Sequence, residues 1–240
     1  MISALRTCSS RRPKKRLVVG AVFLLTLPLA ASTVAGDVHV IGARNHMGDS
    51  GVVVWLEPRD ADLPALHPRA VQMIQRHKQF QPHVLAIPVG TAVDFPNLDP
   101  IFHNAFSNID GKPFDVGLYP PGTSKRVTFD RPGIVHVFCN IHQAMSAVIV
   151  VQNTPWLAVS SHAGEFSIAG VPPGIYRLHV YYERATKETL DNLTETIEVG
   201  EGRSVVPPIR VSETGYIEAP HKNKYGRDYP PAEGSYGGQP

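Results

Sequence analysis

The chain has 240 residues, 42% of them hydrophobic, with 22 Pro, 20 Gly and two Cys. That length suffices for one large core or two small ones. Residues 1–35 hold six of the 23 basic side chains and none of the acidic ones, so 36–240 carries 17 basic against 21 acidic residues, a net charge of −4. This excludes a nucleic-acid-binding role built on a basic surface.

The first predicted element is a targeting segment. Residues 11–16 (RRPKKR) are a basic start, 17–30 (LVVGAVFLLTLPLA) an apolar run, and Thr33-Val34-Ala35 a small-residue cleavage site. The apolar run is too short and wrongly flanked for a membrane-spanning helix. A cleaved signal over 1–35 predicts an exported, periplasmic protein with no stable membrane insertion. Arg11-Arg12 is followed by Pro13-Lys14-Lys15 rather than by apolar residues, so the export route stays open between the Sec and twin-arginine pathways. Cys8 leaves with that segment, which makes Cys139 the lone thiol of the exported chain and rules out an intrachain disulfide. A lone thiol in an oxidising compartment is a liability unless it is buried or bound to a metal.

Beyond the signal, Asp37–Gly42 (DVHVIG) alternates as a first strand, and Gly51–Leu56 (GVVVWL) is a continuous apolar run, a strand buried on both faces. Residues 58–69, with Pro58, Pro64 and Pro68, form a loop. Ala70–Phe80 fits one helical face, but Pro82 follows and we expect an extended segment. Val84–Phe95 reads as strand, turn at Gly90, strand. Residues 95–100 (FPNLDP) turn the chain toward His103, with Asn97 and Asp99 as turn formers. Ser124–Phe129 alternates, and Gly133–Val151 (GIVHVFCNIHQAMSAVIVV) reads as strand, loop, strand. Val135 and Val137 share the core face with Cys139. Ile134 and Phe138 make the opposite face apolar too, so a further layer should cover it. Gly164–Tyr182 (GEFSIAGVPPGIYRLHVYY) reads as two strands around a Pro-Pro-Gly turn, and 194–199 and 204–211 as another pair joined at Gly200-Glu201-Gly202. Residues 213–240 lack periodicity and are expected to be a disordered tail.

The chemistry concentrates in Cys139, His142 and Met145, spaced C-x-x-H-x-x-M between two apolar strands, with His103 upstream. One thiolate, two imidazoles and one thioether are a copper ligand set: thiolate donates charge to Cu(II), imidazole serves both oxidation states, and thioether is a weak donor that favours Cu(I). Zinc would prefer another Cys, His or carboxylate to Met145. A binuclear copper centre needs a second Cys. A Cys–His nucleophile would need a third group to orient the His, and none is evident.

On these residues the chain resembles the cupredoxins, and the short C-x-x-H-x-x-M loop is most similar to that of amicyanin. Residues 95–151 follow the plastocyanin/amicyanin-like pattern, including Gly133 six residues before the Cys. The resemblance implies one type 1 (blue) copper, held strongly by His103, Cys139 and His142 and weakly by Met145 on the axis, with Asn104 bracing the ligand loop through hydrogen bonds. Residues 37–80 resemble a longer bacterial exported family associated with methylamine utilisation. Residues 164–180 resemble the carboxypeptidase-regulatory or transthyretin-like sandwich, a module without catalysis.

The expectation is therefore an all-β chain: a signal peptide over 1–35, a cupredoxin Greek-key sandwich over 36–153, a small second β-sandwich over 154–212, and the tail. Its expected role is not enzymatic. It would transfer single electrons in the periplasm, docking transiently to a dehydrogenase or a c-type cytochrome through an apolar rim of Pro120, Pro121, Ile141 and Ala144. The alternative is a copper carrier or sensor without redox turnover.

Overall fold

The computed structural model describes residues 32–42, 49–108, 111–217 and 220–229; the basic and apolar parts of the expected signal lie outside them. In chain order the strands are β1 (Ser32–Ile41), β2 (Val53–Pro58), β3 (Val71–Gln72), β4 (Ile74–Arg76), β5 (Gln79–Gln81), β6 (Val84–Pro88), β7 (Thr91–Pro96), β8 (Phe106–Ser107) and β9 (Phe114–Asp115). There follow β10 (Ser124–Phe129), β11 (Gly133–Phe138), β12 (Ser146–Gln152), β13 (Leu157–Val159), β14 (Glu165–Val171), β15 (Gly174–Tyr181), β16 (Glu195–Val199), β17 (Arg203–Val205) and β18 (Ile209–Ser212). Among the described residues one short helix, α1 (Lys187–Asn192), interrupts them, capped where the Thr186 hydroxyl accepts from the Thr189 amide.

The chain is all-β and forms two sandwiches. In the first, the sheet β6-β12-β11-β8-β9 faces the sheet β10-β7-β3, and their inward side chains, among them Phe95, Phe129, Val135, Val137 and Ile149, make one core with Cys139 and Met145. In the second, β14-β1-β17, with β18 also on β1, faces β13-β2-β15-β16, over a core that includes Val34, Val54, Leu56, Ile168 and Leu178.

Period-2 alternation explains the runs that are apolar on both faces. Along β12, Ala147, Ile149 and Val151 enter the first core, while Val148 and Val150 point out to meet Val53 of β2. Along β2, Val54 and Leu56 enter the second core, while Val53 and Trp55 face the first sandwich. Ile134, Val159 and Tyr181 complete this shared layer. The outer face of the 133–151 hairpin is thus covered by the second sandwich at Ile134, Val148 and Val150, as its apolar character led us to expect, whereas Phe138 is covered instead by His221 and Phe106.

Several boundaries differ from the expected ones. Both β1 and β2 belong to the second sandwich, because β1 pairs with β14 and β18 and β2 pairs with β15. That unit is built from both sides of the 71–152 segment rather than from 154–212 alone. The expected cleavage site, Thr33-Val34-Ala35, lies inside β1, where Val34 is fully buried and registers with Ile168 and Ser204. The strands flanking Pro172-Pro173 do not pair with each other: β14 joins β1 and β15 joins β2, so the turn crosses between sheets. Likewise β16 pairs β15, whereas β17 and β18 run parallel to β1. Ala70–Phe80 is extended, as expected, but broken into β3, β4 and β5. Residues 220–229 are not a free tail; they fold against the loop after β11.

One ion pair crosses the shared layer. His83, just before β6, directs Nε2 at Glu183, 2.9 and 3.0 Å from its two carboxylate oxygens, and Nδ1 at the Ser146 carbonyl 3.1 Å away. Every partner is an acceptor, so both ring nitrogens must donate, which selects the imidazolium. The Glu183 bond raises the His83 pKa above its ordinary 6.5 against the opposing effect of burial. Burial works against the Glu183 charge, but the His83 contact outweighs it and holds that carboxyl below its usual 4.5. The His83 contribution is full below its unfolded value and is lost as pH rises through the raised one. The Glu183 contribution is present above its unfolded value and lost as pH falls through the lowered one. The pair should therefore stabilise most between pH 4.5 and 6.5. With about a third of each side chain exposed, its worth is about 1 kcal/mol. We expect His83→Gln to flatten the loss of melting temperature between about pH 6 and about pH 9. An unchanged pH profile in that variant would show that the pair contributes nothing.

Candidate metal centre

His103 is placed by the turn that follows β7. Asn97 holds this turn through Nδ2, which donates to the Ile101 carbonyl at 2.8 Å, and through Oδ1, which accepts the Asp99 amide at 3.1 Å. His103 then exchanges two backbone hydrogen bonds with Tyr119, at 3.2 and 2.9 Å, and the Tyr119 hydroxyl donates to the Phe95 carbonyl at 2.8 Å. His103 and Tyr119 are both buried. The imidazole has one orientation available, because Nε2 sits 2.7 Å from Asp99 Oδ2. Asp99 also accepts the amides of His77 (2.6 Å) and Lys78 (2.8 Å), two residues whose φ of 55° bends the β4–β5 turn toward it. Burial alone would raise the Asp99 pKa, but the Lys78 amide, His103 and the His77 amide outweigh it and keep the group a carboxylate. An anion on Nε2 fixes the tautomer with the Nδ1 lone pair free.

Cys139 directly follows β11, and its side chain is in the first core. The loop behind it is closed by its own backbone: the Cys139 amide donates to the Met145 carbonyl at 3.1 Å and the Met145 amide to the His142 carbonyl at 3.0 Å. Cys139 and Met145 have no exposed surface, whereas His142 is half-buried. The Cys139 sulfur lies 3.6 Å from His142 Nδ1 and 3.9 Å from His103 Nδ1, with the two rings 4.8 Å apart at 64°. Two donors bonded to one ion at about 2.0–2.3 Å stand about 3.3–4.0 Å apart at tetrahedral to trigonal angles, so both sulfur–nitrogen spacings suit a metal. His103, Cys139 and His142 are, among the described residues, the group of three donors that can hold an ion together. Met145 shares the buried cluster with Cys139.

The electrostatics suit a cation better than a nucleophile. Burial pushes the Cys139 thiol above its ordinary pKa, and the amides of Ile141, Asn104 and His142 only partly oppose it. A thiol held protonated is a poor nucleophile; metal binding would have to release its proton. Burial also lowers the His142 pKa, helped by the potential of His103 and Lys78, which keeps its nitrogen available at neutral pH.

Asn104 braces the loop as the sequence resemblance implied. Its Oδ1 accepts the Asn140 amide at 3.0 Å, and its Nδ2 donates to Asp115 Oδ1 at 2.7 Å. The expected rim residues Pro120, Pro121, Ile141 and Ala144 are exposed. Sequence reasoning missed Leu98, Phe102 and Leu118, which are 49%, 54% and 56% exposed on the loops that carry His103 and Tyr119. It also took Asp99 for a turn former only; its position four residues before His103 is the signal that could have found it.

No protein-family model and no curated protein matches the chain. Among solved structures it is similar over parts of its length to a copper-containing nitrite reductase from Thermus scotoductus SA-01, with 28% identity, 48% of this chain and 28% of that chain covered, and a TM-score of 0.34. It thus spans little more than a quarter of that protein. It is also similar to a purple cupredoxin from Nitrosopumilus maritimus (28% identity, 30% of this chain and 81% of that chain, TM-score 0.29). A third similarity is to a mutant of amicyanin with Cu(I) (17% identity, 35% of this chain and 82% of that chain, TM-score 0.33).

Asn104→Ala should leave the half-buried Asn140 amide without its acceptor. We expect a loss of about 1–2 kcal/mol in thermal unfolding and of about 10–100-fold in metal affinity by titration. Wild-type affinity in that variant would mean that the loop stands without this brace.

Proposed function

We propose that this chain is an exported copper protein that passes single electrons through a site in which His103, Cys139 and His142 are the strong ligands and Met145 the weak one. The observation that carries the reading is the convergence of two imidazole Nδ1 atoms on one buried thiol at 3.6 and 3.9 Å. The donor set of soft sulfur and borderline nitrogen fits one copper ion of the type 1 class, which when bound supplies a one-electron couple. The remaining work belongs to the chain. Asp99 and the Tyr119 bridge prevent His103 from turning, and the backbone bonds of Cys139 and Met145 fix the loop, so the donors need move little when the charge changes. His142 is the half-exposed ligand and gives the electron its way out. Leu98, Phe102 and Leu118 join Pro120, Pro121, Ile141 and Ala144 as an apolar docking face. Such a face suits a brief encounter with a dehydrogenase or a c-type cytochrome, for which a small contact is enough.

Export is part of the reading. Because Ser32–Ala35 belong to β1, a signal that leaves the strand whole is cut before Ser32. Among the described residues no helix is long and apolar enough to cross a membrane.

The decisive experiment is to load the purified protein with Cu(II) and record its visible spectrum. An intense thiolate-to-copper band that disappears in Cys139→Ser is the expected result; a colourless Cu(II) complex of the unaltered chain would refute the proposal. Reversible voltammetry separates an electron carrier from a copper carrier or sensor, which need not cycle. Two substitutions should tune the couple upward. Met145→Leu should keep the metal and raise the potential, because losing a donor disfavours Cu(II). Asp99→Asn should raise it by about 59 mV for each tenfold loss of preference for Cu(II), since an amide makes His103 a weaker donor than a carboxylate does. Loss of copper in Met145→Leu would show that the thioether holds the metal rather than tunes it.

A further inference from the structure

Residues 220–229 carry polar side chains and few apolar ones, yet they fold tightly on themselves. Asn223 organises the turn: its Oδ1 accepts the Tyr225 and Arg227 amides at 2.9 and 3.1 Å, and its backbone exchanges 2.9 Å bonds with Gly226 and Arg227. Lys222 pairs with Asp228 across it.

This turn lies on the ligand loop. The Tyr229 hydroxyl donates to the Cys139 carbonyl at 2.8 Å. The Lys224 amide donates to Asn140 Oδ1 at 3.0 Å. His221 Nε2 donates to the Gln143 carbonyl at 2.7 Å, while its ring stacks on Phe138 with centroids 4.0 Å apart and takes the Tyr229 ring edge-on at 5.2 Å. Contacts therefore fall at 138, 139, 140 and 143, on both sides of the two loop ligands.

The Lys224 bonds also close a ring. Its Nζ donates to Asp115 Oδ2 at 2.7 Å. Asp115 Oδ1 takes Asn104 Nδ2, Asn104 Oδ1 takes the Asn140 amide, and Asn140 Oδ1 returns to the Lys224 amide. Four residues from four separate segments thus form one closed circuit. Three of them adjoin or brace the ligands, and only Lys224 comes from outside the first sandwich. Without it the Asn140 side chain loses its bond to the turn and the circuit through Asp115 and Asn104 opens.

We propose that residues 220–229 are a built-in clamp of the metal centre, in which Lys224 and Tyr229 are positioning residues that hold Asn140 and Cys139, and with them the ligand loop, in the metal-ready shape before a metal arrives. The proposal rests on the site of His103, Cys139 and His142 being the metal site. Coupling of this kind is reciprocal: a clamp that favours the ordered loop is itself held down by the ordered loop, and by whatever the loop binds.

The test uses the metal-free full chain with Cys8→Ser, so that Cys139 is the one thiol. Its reaction with Ellman's reagent measures how often the loop opens. Truncation after Ile217 should speed the reaction by at least about tenfold, and Lys224→Ala and Tyr229→Phe by about two- to tenfold each, the range set by losing one hydrogen bond. Lys224→Arg should restore the slow rate by recovering the contact with Asp115. Tyr229→Phe removes a single oxygen, so it remains informative if the truncated chain fails to fold. In the Cu(II)-loaded chain the same variants should speed metal release to a chelator and shift the visible spectrum, which a merely structural contact would not do. Equal thiol reactivity in all variants would overturn the clamp. A colourless Cu(II) complex together with faster thiol reaction in the variants would refute the copper reading and leave the clamp supported.

Discussion

A strand has two faces, and β2 and β12 bury both. This constraint governs the rest of the structure. Val148 and Val150 meet Val53 in a layer between the sandwiches, while their neighbours Ala147 and Ile149 fill the core that contains Cys139. A one-residue slip of β12 would exchange the two sets and break both layers at once. The register of β12 on β11 is therefore pinned from two sides, and the loop that joins them inherits that precision. Cys139 and Met145 can sit fully buried with a short loop between them because neither flanking strand has freedom to shift.

The centre follows the same logic at smaller scale. Each donor is held through the part of it that does not face the cluster. His103 is gripped at Nε2 by Asp99, Cys139 through its backbone, and the loop through Asn140. Asp99 is in turn set by two amides from a turn whose residues take the left-handed conformation, a local cost of the order of 1 kcal/mol per residue that the surrounding structure must offset. A two-residue hairpin between β4 and β5 calls for that conformation at both central residues, and the same turn aims both amides at Asp99.

Much of this was legible in the residues. The C-x-x-H-x-x-M spacing and the alternation of Val135, Val137 and Cys139 located the loop and its core face, and the apolar outer side of the hairpin foretold a covering layer. What could not be read has a common physical origin: it depends on partners far away in the chain. The two strands around the Pro-Pro-Gly turn were legible but their partners were not, since Pro172-Pro173 leads the chain from one sheet to the opposite one. The apolar run of β2 announced burial but not which sandwich it would complete. Residues 220–229 showed no periodicity because polar contacts, rather than an apolar face, order them, and such contacts leave no repeat in a sequence. Asp99 read as a turn residue because it is one; its bond to His103 is added by the turn itself.

The placement of β1 bears on the order of events as the chain is made. The first sandwich is drawn from 71–152, one continuous stretch, and its strands can find each other as soon as that stretch exists. The second cannot. Ser32 bonds to Gly200 across 168 residues, and β1 lies beside β14, β17 and β18. Closing so long a loop is entropically costly and slow, and the sheet of β1 is complete only once β17 and β18 are available. The order of the chain thus sets an order of assembly, in which the sandwich that holds Cys139 can close first and the second is completed around it.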